Sequence, residues 1–447
     1  MTNEKYGLIG KTLVHSYSKE IHEALGRYQY QLFSLAEDEM PDFINVRDFR
    51  GLNVTIPYKK DVIPLCDEVT DLARGIGAVN TLFWKNASGA GASESISQKD
   101  KILVGHNTDY EGFLYAASRA GIDFEGKGVL ILGTGGTSLM ARRAAADQNA
   151  AKIYIASRHP EADPLSVSEI QNAGILSTVS YDQLLEIADS IDVIVNTTPV
   201  GTFPNNMQQV IRLKDFPGCQ AVIDVIYNPF KTALLLEAEK LGLKYTNGLP
   251  MLVAQATAAA GYFLGTPGAF QKENQRIIKS MQQQMGNIVL IGMPGTGKSI
   301  IGKLLAELTG KTLQDTDAKI EEEAEMTIPE IFEKEGEAGF RDRESAICKK
   351  LGKERNLIIA TGGGAILRPE NVDALRQNGT LVHITRSIDK LPTRGRPLSK
   401  NIETLKKMEA QRMPLYKAAA DITFRNNYTC SRKKLRQRVN TYILEKL

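Results

Sequence analysis

Residues 287–310 read NIVLIGMPGTGKSIIGKLLAELTG, and three features of that stretch decide its fold. NIVLI is a short apolar run rich in β-branched residues, the mark of a buried parallel strand. Gly292-Met-Pro-Gly295-Thr296-Gly297-Lys298-Ser299 fits GxxxxGK[ST]. SIIGKLLAELTG then has helical periodicity. Strand, glycine loop and helix in this order make an anion cradle. Glycines let backbone N–H groups curl round phosphate oxygens, and the helix N-terminus adds positive potential. Gly292, Gly295, Thr296 and Gly297 are expected to line the cradle. Lys298 reaches the outer phosphates of a nucleotide, and Ser299 ligates Mg²⁺.

On the C-terminal side of this motif, LIIATGGG (357–364) and TLVHIT (380–385) continue the strand series. On its N-terminal side, VLILG (129–133), KIYIAS (152–157), DVIVNTT (192–198) and AVIDVIY (221–227) form another. Each of these four ends near Gly, Ser or Thr, where α/β folds place ligand-binding turns. Both halves therefore read as α/β sheets with helical crossovers. The polar, Gln-rich segment 271–286, QKENQRIIKSMQQQMG, reads as a linker between them that can extend a terminal helix, the alternative being a surface helix of one continuous domain. Residues 86–99, NASGAGASESISQK, read as a long hairpin loop between TLFW and ILVG.

The earlier half carries a different glycine motif, Gly133-Thr-Gly135-Gly136-Thr137-Ser138, between the strand VLIL and the helical LMARRAAADQ. That context suits dinucleotide binding, with Ser138 in place of the third glycine. The next strand ends in Ser157-Arg158-His159. An NAD site usually has an acid there for the ribose 2′-hydroxyl, whereas an arginine meets a 2′-phosphate. The residues favour NADP(H).

Composition bounds the remainder. A length of 447 residues suggests roughly three compact units at about 150 residues each. Net charge is +3, from 55 basic and 52 acidic residues, which gives no electrostatic case for a nucleic-acid or membrane-surface partner. No apolar run approaches the roughly 20 residues of a membrane span. MTNEKYGLIGK lacks the long apolar stretch of a signal peptide. Cys66, Cys219, Cys348 and Cys430 are far apart, which argues against a disulfide framework or a zinc site. A cytoplasmic protein is expected. His15, His22 and His106 lack acidic or cysteine partners at ligand spacing and read as structural.

After the phosphate loop come Asp315-Thr-Asp317, Phe340-Arg341-Asp-Arg-Glu344, Gly362-Gly363-Gly364, Arg394-Gly-Arg396 and Arg412-Met-Pro-Leu-Tyr416. Together they make residues 287–447 resemble shikimate kinase. The resemblance implies ATP and Mg²⁺, with Asp315 on the metal side beside Ser299. Asp317 would bind the ring hydroxyls and orient, or take a proton from, the attacking one. Arg341 and Arg412 would hold the substrate carboxylate, with Glu344 bracing Arg341. The backbone at Gly362, Gly363 and Gly364 would lie close to the ring, and Arg396 would come from a lid to neutralise charge on the phosphoryl group. Leu391-Pro392 stand where the family often has an adenine-packing arginine, and the adenine-side loop near Arg425-Asn426-Asn427 is hard to match.

In the first half, Ser16-Tyr-Ser18, Asn53-Val-Thr55-Ile-Pro-Tyr-Lys59, Gly77-Ala-Val-Asn80-Thr and Gly105-His-Asn107-Thr108-Asp109 precede the glycine motif. Asn196-Thr-Thr-Pro-Val-Gly201, Tyr227-Asn-Pro and Met251-Leu-Val-Ala-Gln255 follow it. In this order they resemble shikimate dehydrogenase. The resemblance implies a Lys59–Asp109 catalytic pair, a carboxylate held by Ser16 and Ser18, and Thr55, Asn80 and Gln255 on carboxylate or hydroxyl groups. Tyr227 would lie near the ring or the nicotinamide. Asp109 can also cap the following helix. Pro160-Glu161-Ala162 lacks the second basic residue that commonly holds the 2′-phosphate, and Thr202 stands where a methionine is frequent.

The expected fold is α/β throughout. A two-lobed dehydrogenase-like unit occupies 1–270, with an α/β substrate lobe at 1–112 and 246–270 and a Rossmann-like NADP lobe at 113–245. The linker 271–286 leads to a P-loop kinase-like α/β domain with a parallel sheet at 287–447. The expected function is NADPH-dependent reduction of 3-dehydroshikimate to shikimate, followed by MgATP-dependent phosphorylation to shikimate 3-phosphate. Alternatives are a quinate-preferring dehydrogenase joined to the kinase, or a sensor that binds these ligands without turnover.

Overall fold

The computed structural model describes residues 5–13, 16–86, 101–162, 173–391, 402–427 and 430–447. The chain divides into two compact units, residues 1–202 with 208–279, and residues 203–207 with 280–447.

The first unit holds two sheets. The first comprises β1 (Tyr6–Gly10), β2 (Tyr30–Ser34), β3 (Gly51–Val54), β4 (Glu68–Val69), β5 (Thr81–Asn86) and β6 (Lys101–His106), in the order β2-β1-β3-β5-β6-β4. It is mixed, because β5 runs antiparallel to both β3 and β6. The strands β5 and β6 are the arms of the expected hairpin, and residues 87–100 lie outside the described residues. The second sheet comprises β7 (Gly128–Leu132), β8 (Lys152–Ser157), β9 (Leu176–Ser180), β10 (Val193–Asn196), β11 (Ala221–Asp224) and β12 (Lys244–Thr246). All its pairings are parallel and its order is β12-β11-β10-β7-β8-β9. The order reverses between β7 and β10, a doubly wound topology whose crevice opens at the strand carboxyl ends.

Strands β7 and β10 are buried at every position, because helices cover both faces. Val129, Ile131, Val193 and Val195 face one core, while Leu130, Leu132 and Ile194 face the other. The helices Asp109–Arg119 and Leu249–Phe263 pack side by side and join the two sheets. A Cβ on Gly112 would lie 2.6 Å from the Met251 carbonyl oxygen, so only glycine permits this approach. The 112/113 lobe boundary read from sequence thus falls inside a helix.

The second unit has one parallel sheet of β13 (Asn287–Ile291), β14 (Thr312–Asp315), β15 (Leu357–Ala360), β16 (Gly379–Thr385) and β17 (Ile422–Arg425), in the order β14-β15-β13-β16-β17. Central β13 places the phosphate loop at its carboxyl edge.

The segment read as a linker is helical over Asn274–Met285, and the division between the units falls within this helix. Ile277, Ile278, Met281 and Met285 are buried on one face. Four apolar residues among glutamines and lysines make too narrow a stripe to stand out by composition. In the second unit, buried Lys311 donates from Nζ to the carbonyls of Gln284 (2.9 Å) and Gly286 (2.8 Å) and to Asn356 Oδ1 (3.1 Å).

Candidate active sites

In the first unit, a cavity of about 400 Å³ opens between the two sheets. Its lining brings together Ser16, Ser18, Thr55, Lys59, Asn80, Asp109, Tyr227 and Gln255, with Thr137 from the start of the dinucleotide helix. Lys59 Nζ donates to Asp109 Oδ2 at 2.5 Å, and both side chains keep partial exposure to the cavity, 25% and 17%. Asp109 opens its helix, but the residue before it makes no side-chain cap. The Asn80 orientation follows from its donors. Its Oδ1 accepts from the Thr108 backbone N–H (2.7 Å) and from Thr81 Oγ1 (2.9 Å), so its NH₂ is the group turned toward other partners. Asn53 also lines the cavity, and its Oδ1 accepts from Tyr30 Oη at 2.7 Å. Asn53 heads the Asn53–Lys59 motif, which by itself assigns it no role.

The dinucleotide turn is built from backbone. Gly133 has φ +99°, and a Cβ there would meet Thr198 Cγ2 at 3.0 Å. At Gly135 and Gly136 a Cβ would enter open space, so the N-terminus of the helix Gly136–Asp147 is bare to an approaching anion. Ser138 is fully buried, and its Oγ accepts from Arg142 Nε at 3.1 Å. The hydroxyl thus anchors a buried arginine in the helix behind the loop. Ser157 is buried, with Oγ accepting from the His159 N–H at 3.0 Å, and Arg158 stands exposed at the end of β8. An exposed guanidinium and a bare helix end fit a dinucleotide carrying a 2′-phosphate.

His22 and His106 have protein partners. His22 is fully buried, with Nδ1 2.7 Å from Tyr28 Oη, and burial pushes its pKa down to about 3. His106 bonds Thr70 Oγ1 (2.9 Å) and Glu111 Oε1 (3.1 Å). His15 lies outside the described residues.

The second unit has a cavity of about 650 Å³, lined by Gly295, Gly297, Lys298, Ser299, Asp315, Asp317, Arg341, Arg412 and the Gly362–Gly364 run. Gly292, Gly295 and Gly297 all have positive φ (+145°, +87° and +95°), which gives the loop its curl. Lys298 Nζ folds onto the Gly292 carbonyl at 2.7 Å. Ser299 Oγ donates to Asp315 Oδ2 at 3.2 Å, which pairs the hydroxyl with a carboxylate as a magnesium site needs. Asp315 also caps its helix, accepting from the Asp317 N–H at 3.1 Å.

Asp317 is carried toward the triglycine. Burial first, then the Asp315 and Glu344 carboxylates, raise its pKa to about 6. Arg341 Nη1 donates to fully buried Glu344 Oε2 at 2.7 Å, as the three-residue helical spacing implied. Arg412 Nη1 and Tyr416 Oη both donate to the Gly363 carbonyl, at 2.8 and 2.6 Å. A Cβ on Gly362 would lie 2.6 Å from Asp317 Oδ1, and one on Gly364 would lie 2.0 Å from Arg341 Nη1. The glycines therefore make room for the polar side chains of the cavity itself.

Arg394, Arg396 and Pro392 lie outside the described residues. Leu391 is buried in the core beneath the cavity. Arg386, which belongs to none of the sequence motifs, lines the cavity. Asn426 Nδ2 donates to the Thr296 carbonyl at 2.8 Å.

Comparison with known proteins adds an independent line. Residues 8–82 match the shikimate dehydrogenase substrate binding domain, and residues 294–447 match shikimate kinase. The shikimate dehydrogenase (NADP(+)) of Clostridium perfringens (strain SM101 / Type A) is 34% identical over 262 residues, 57% of this chain and 90% of that enzyme. A chorismate mutase/shikimate 5-dehydrogenase fusion protein from Clostridium acetobutylicum superposes with TM-score 0.54 at 32% identity, over 63% of this chain and 98% of that one. Shikimate 5-dehydrogenase from Thermus thermophilus, solved with NADP(H) and shikimate, gives TM-score 0.51 at 29% identity, over 62% and 99%. The chain belongs to the shikimate dehydrogenase family and joins to it, in its second half, a shikimate kinase domain.

Proposed function

We propose that the first unit reduces 3-dehydroshikimate with NADPH and that the second phosphorylates the resulting shikimate with MgATP. The carrying observation is that each unit gathers residues far apart in sequence around one cavity, lined by Lys59 and Asp109 in the first unit and by Lys298 and Asp317 in the second.

NADPH supplies the hydride. As the ketone carbon accepts it, charge builds on the oxygen, and the Lys59 ammonium stands ready to give that oxygen a proton. Asp109 holds Lys59 in place through their 2.5 Å contact. Ser16 and Ser18 take the carboxylate, and the Asn80 NH₂ donates to a substrate oxygen. Thr55, Gln255 and Tyr227 complete the ring contacts. Gly133, Gly135, Gly136 and Thr137 receive the pyrophosphate, with Ser157 and Arg158 at the 2′-phosphate.

In the second unit, ATP is the phosphoryl donor. Arg341 and Arg412 clamp the shikimate carboxylate, and Asp317 orients the attacking hydroxyl or takes its proton. Lys298 and Arg396 neutralise the transferring group, while Ser299 and Asp315 hold Mg²⁺. Domain limits of 1–270 and 287–447 belong to this reading, as does a cytoplasmic location. All four cysteines are free thiols, as a reducing compartment keeps them. No helix among the described residues is long and apolar enough to cross a membrane.

The test is the full-length chain with 3-dehydroshikimate and NADPH, with and without MgATP, assayed for shikimate and shikimate 3-phosphate. Shikimate 3-phosphate should appear only with ATP. NADH should be a poorer donor, and quinate should turn over more slowly than shikimate in the reverse direction. Accumulation of shikimate despite ATP would sink the kinase half, and absence of both products would leave a ligand sensor.

A further inference from the structure

Asn426 follows the last strand of the second unit's sheet, and its backbone N–H is held by the Thr385 carbonyl at 2.7 Å. Its side-chain NH₂ reaches across to the phosphate loop and donates to the Thr296 carbonyl at 2.8 Å. The acceptor is a carbonyl, which decides the amide orientation, since only NH₂ can donate to it. The next residue, Asn427, ties the same corner to the turn after β16, because its Oδ1 accepts from the Ser387 N–H at 2.7 Å.

We propose that Asn426 is a positioning residue for phosphate binding, aiming the Gly297 N–H into the anion cradle. In a trans peptide the carbonyl and the following N–H point in opposite directions. Fixing the Thr296 carbonyl against Asn426, on the outside of the loop, turns the Gly297 N–H to the inside. Two further observations agree. Gly297 has φ +95°, and a Cβ there would lie 2.6 Å from Asn426 Nδ2, so glycine serves the approach of the amide as well as the curl of the loop. Thr296 is 2% exposed, and its Oγ1 donates to the Met293 carbonyl at 3.0 Å, so its side chain is held as well as its carbonyl. Asn426 acts through the loop and touches no reacting atom.

The inference rests on the kinase reading, and the experiment separates the two. The wild-type full chain is measured first for kinase turnover and for MgADP affinity by calorimetry. Failure there is failure of the kinase reading. Asn426→Asp is close to isosteric but sets a carboxylate against the Thr296 carbonyl. Asn426→Ala removes the donor more gently. Loss of one part-buried hydrogen bond of this kind should raise the MgATP KM and MgADP Kd roughly tenfold in the Asp variant, and less in the Ala variant. The shikimate KM, the dehydrogenase turnover and the affinity for AMP, which lacks the outer phosphates, should stay within about twofold of wild type. An equal fall for AMP and MgADP would place Asn426 on the base or ribose and overturn the proposal. An equal rise in shikimate KM would mark general damage and overturn it too, as would unchanged MgADP binding in both variants.

Discussion

Lys59 and Asp109 carry the sharpest test at the scale of single residues, because their 2.5 Å contact places an ammonium inside the substrate cavity. Lys59→Met should cut 3-dehydroshikimate reduction by about 10²–10⁴-fold, the usual range for a lost acid–base group. Shikimate affinity by calorimetry should change only a few-fold. A parallel loss of binding and turnover would make Lys59 a binding residue instead. Gly364→Ala tests the other cavity. Its Cβ would occupy the space of Arg341 Nη1, so the guanidinium must move. A misplacement near 1 Å can cost about a hundredfold, so shikimate KM should rise by at least about tenfold while MgATP KM holds. A third residue reports through stability. Asp224 is fully buried, and burial lifts its pKa from 3.8 to about 6 despite donors at Thr232, Asn196 and the Ile226 N–H. A carboxyl whose folded pKa is raised favours folding most below its unfolded pKa, and that contribution is lost as pH rises through about 6. Thermal melts of the first unit should therefore lose stability between about pH 4 and pH 7, and Asp224→Asn should flatten that slope.

Elements set where these residues meet. The helix Ile328–Lys353 breaks its own geometry at Gly336, with φ 70° and ψ −174°, conformations open only to glycine. Its first arm brings Phe332 to the cavity and its second brings Phe340, Arg341 and Glu344. The arms are strapped by Arg343 on Glu335, at 2.9 and 2.7 Å, and by the Phe332 and Phe340 rings at 4.9 Å. Gly336→Ala should cost about 1–3 kcal/mol in denaturant unfolding of the second unit. It should raise shikimate KM more than MgATP KM, because the phosphate loop lies on a different element. Unchanged unfolding would mean the kink is not strained for an L-residue.

Across the whole molecule, the two units have sheets and hydrophobic cores of their own. Separate cores predict separable defects. Lys59→Met should leave phosphorylation of added shikimate unchanged, and Lys298→Met should leave NADPH oxidation unchanged. With both activities intact, shikimate should appear in bulk solution before shikimate 3-phosphate, giving a lag that shortens as more chain is added. A product trace with no lag and no free shikimate would argue for direct transfer.

The sequence by itself determined the α/β class, the parallel strands and both glycine turns, because short β-branched runs and glycine spacings are local properties of the chain. It also determined the residue types the cavities contain, since Lys59, Asp109, Lys298, Asp317, Arg341 and Arg412 sit in motifs whose chemistry is readable from their order. Only tertiary structure decided what each glycine of the 362–364 run makes room for, because the close neighbours of Gly362 and Gly364, Asp317 and Arg341, are remote in sequence. Only tertiary structure gave the helical segment 274–285 a buried face, since its narrow apolar stripe becomes meaningful once Ile277, Ile278 and Met281 find surfaces to cover. The same holds for Asn426 beneath the phosphate loop, 130 residues from the carbonyl it holds. A side chain that acts by fixing another segment's backbone leaves no spacing signal, because its partner is chosen by the fold.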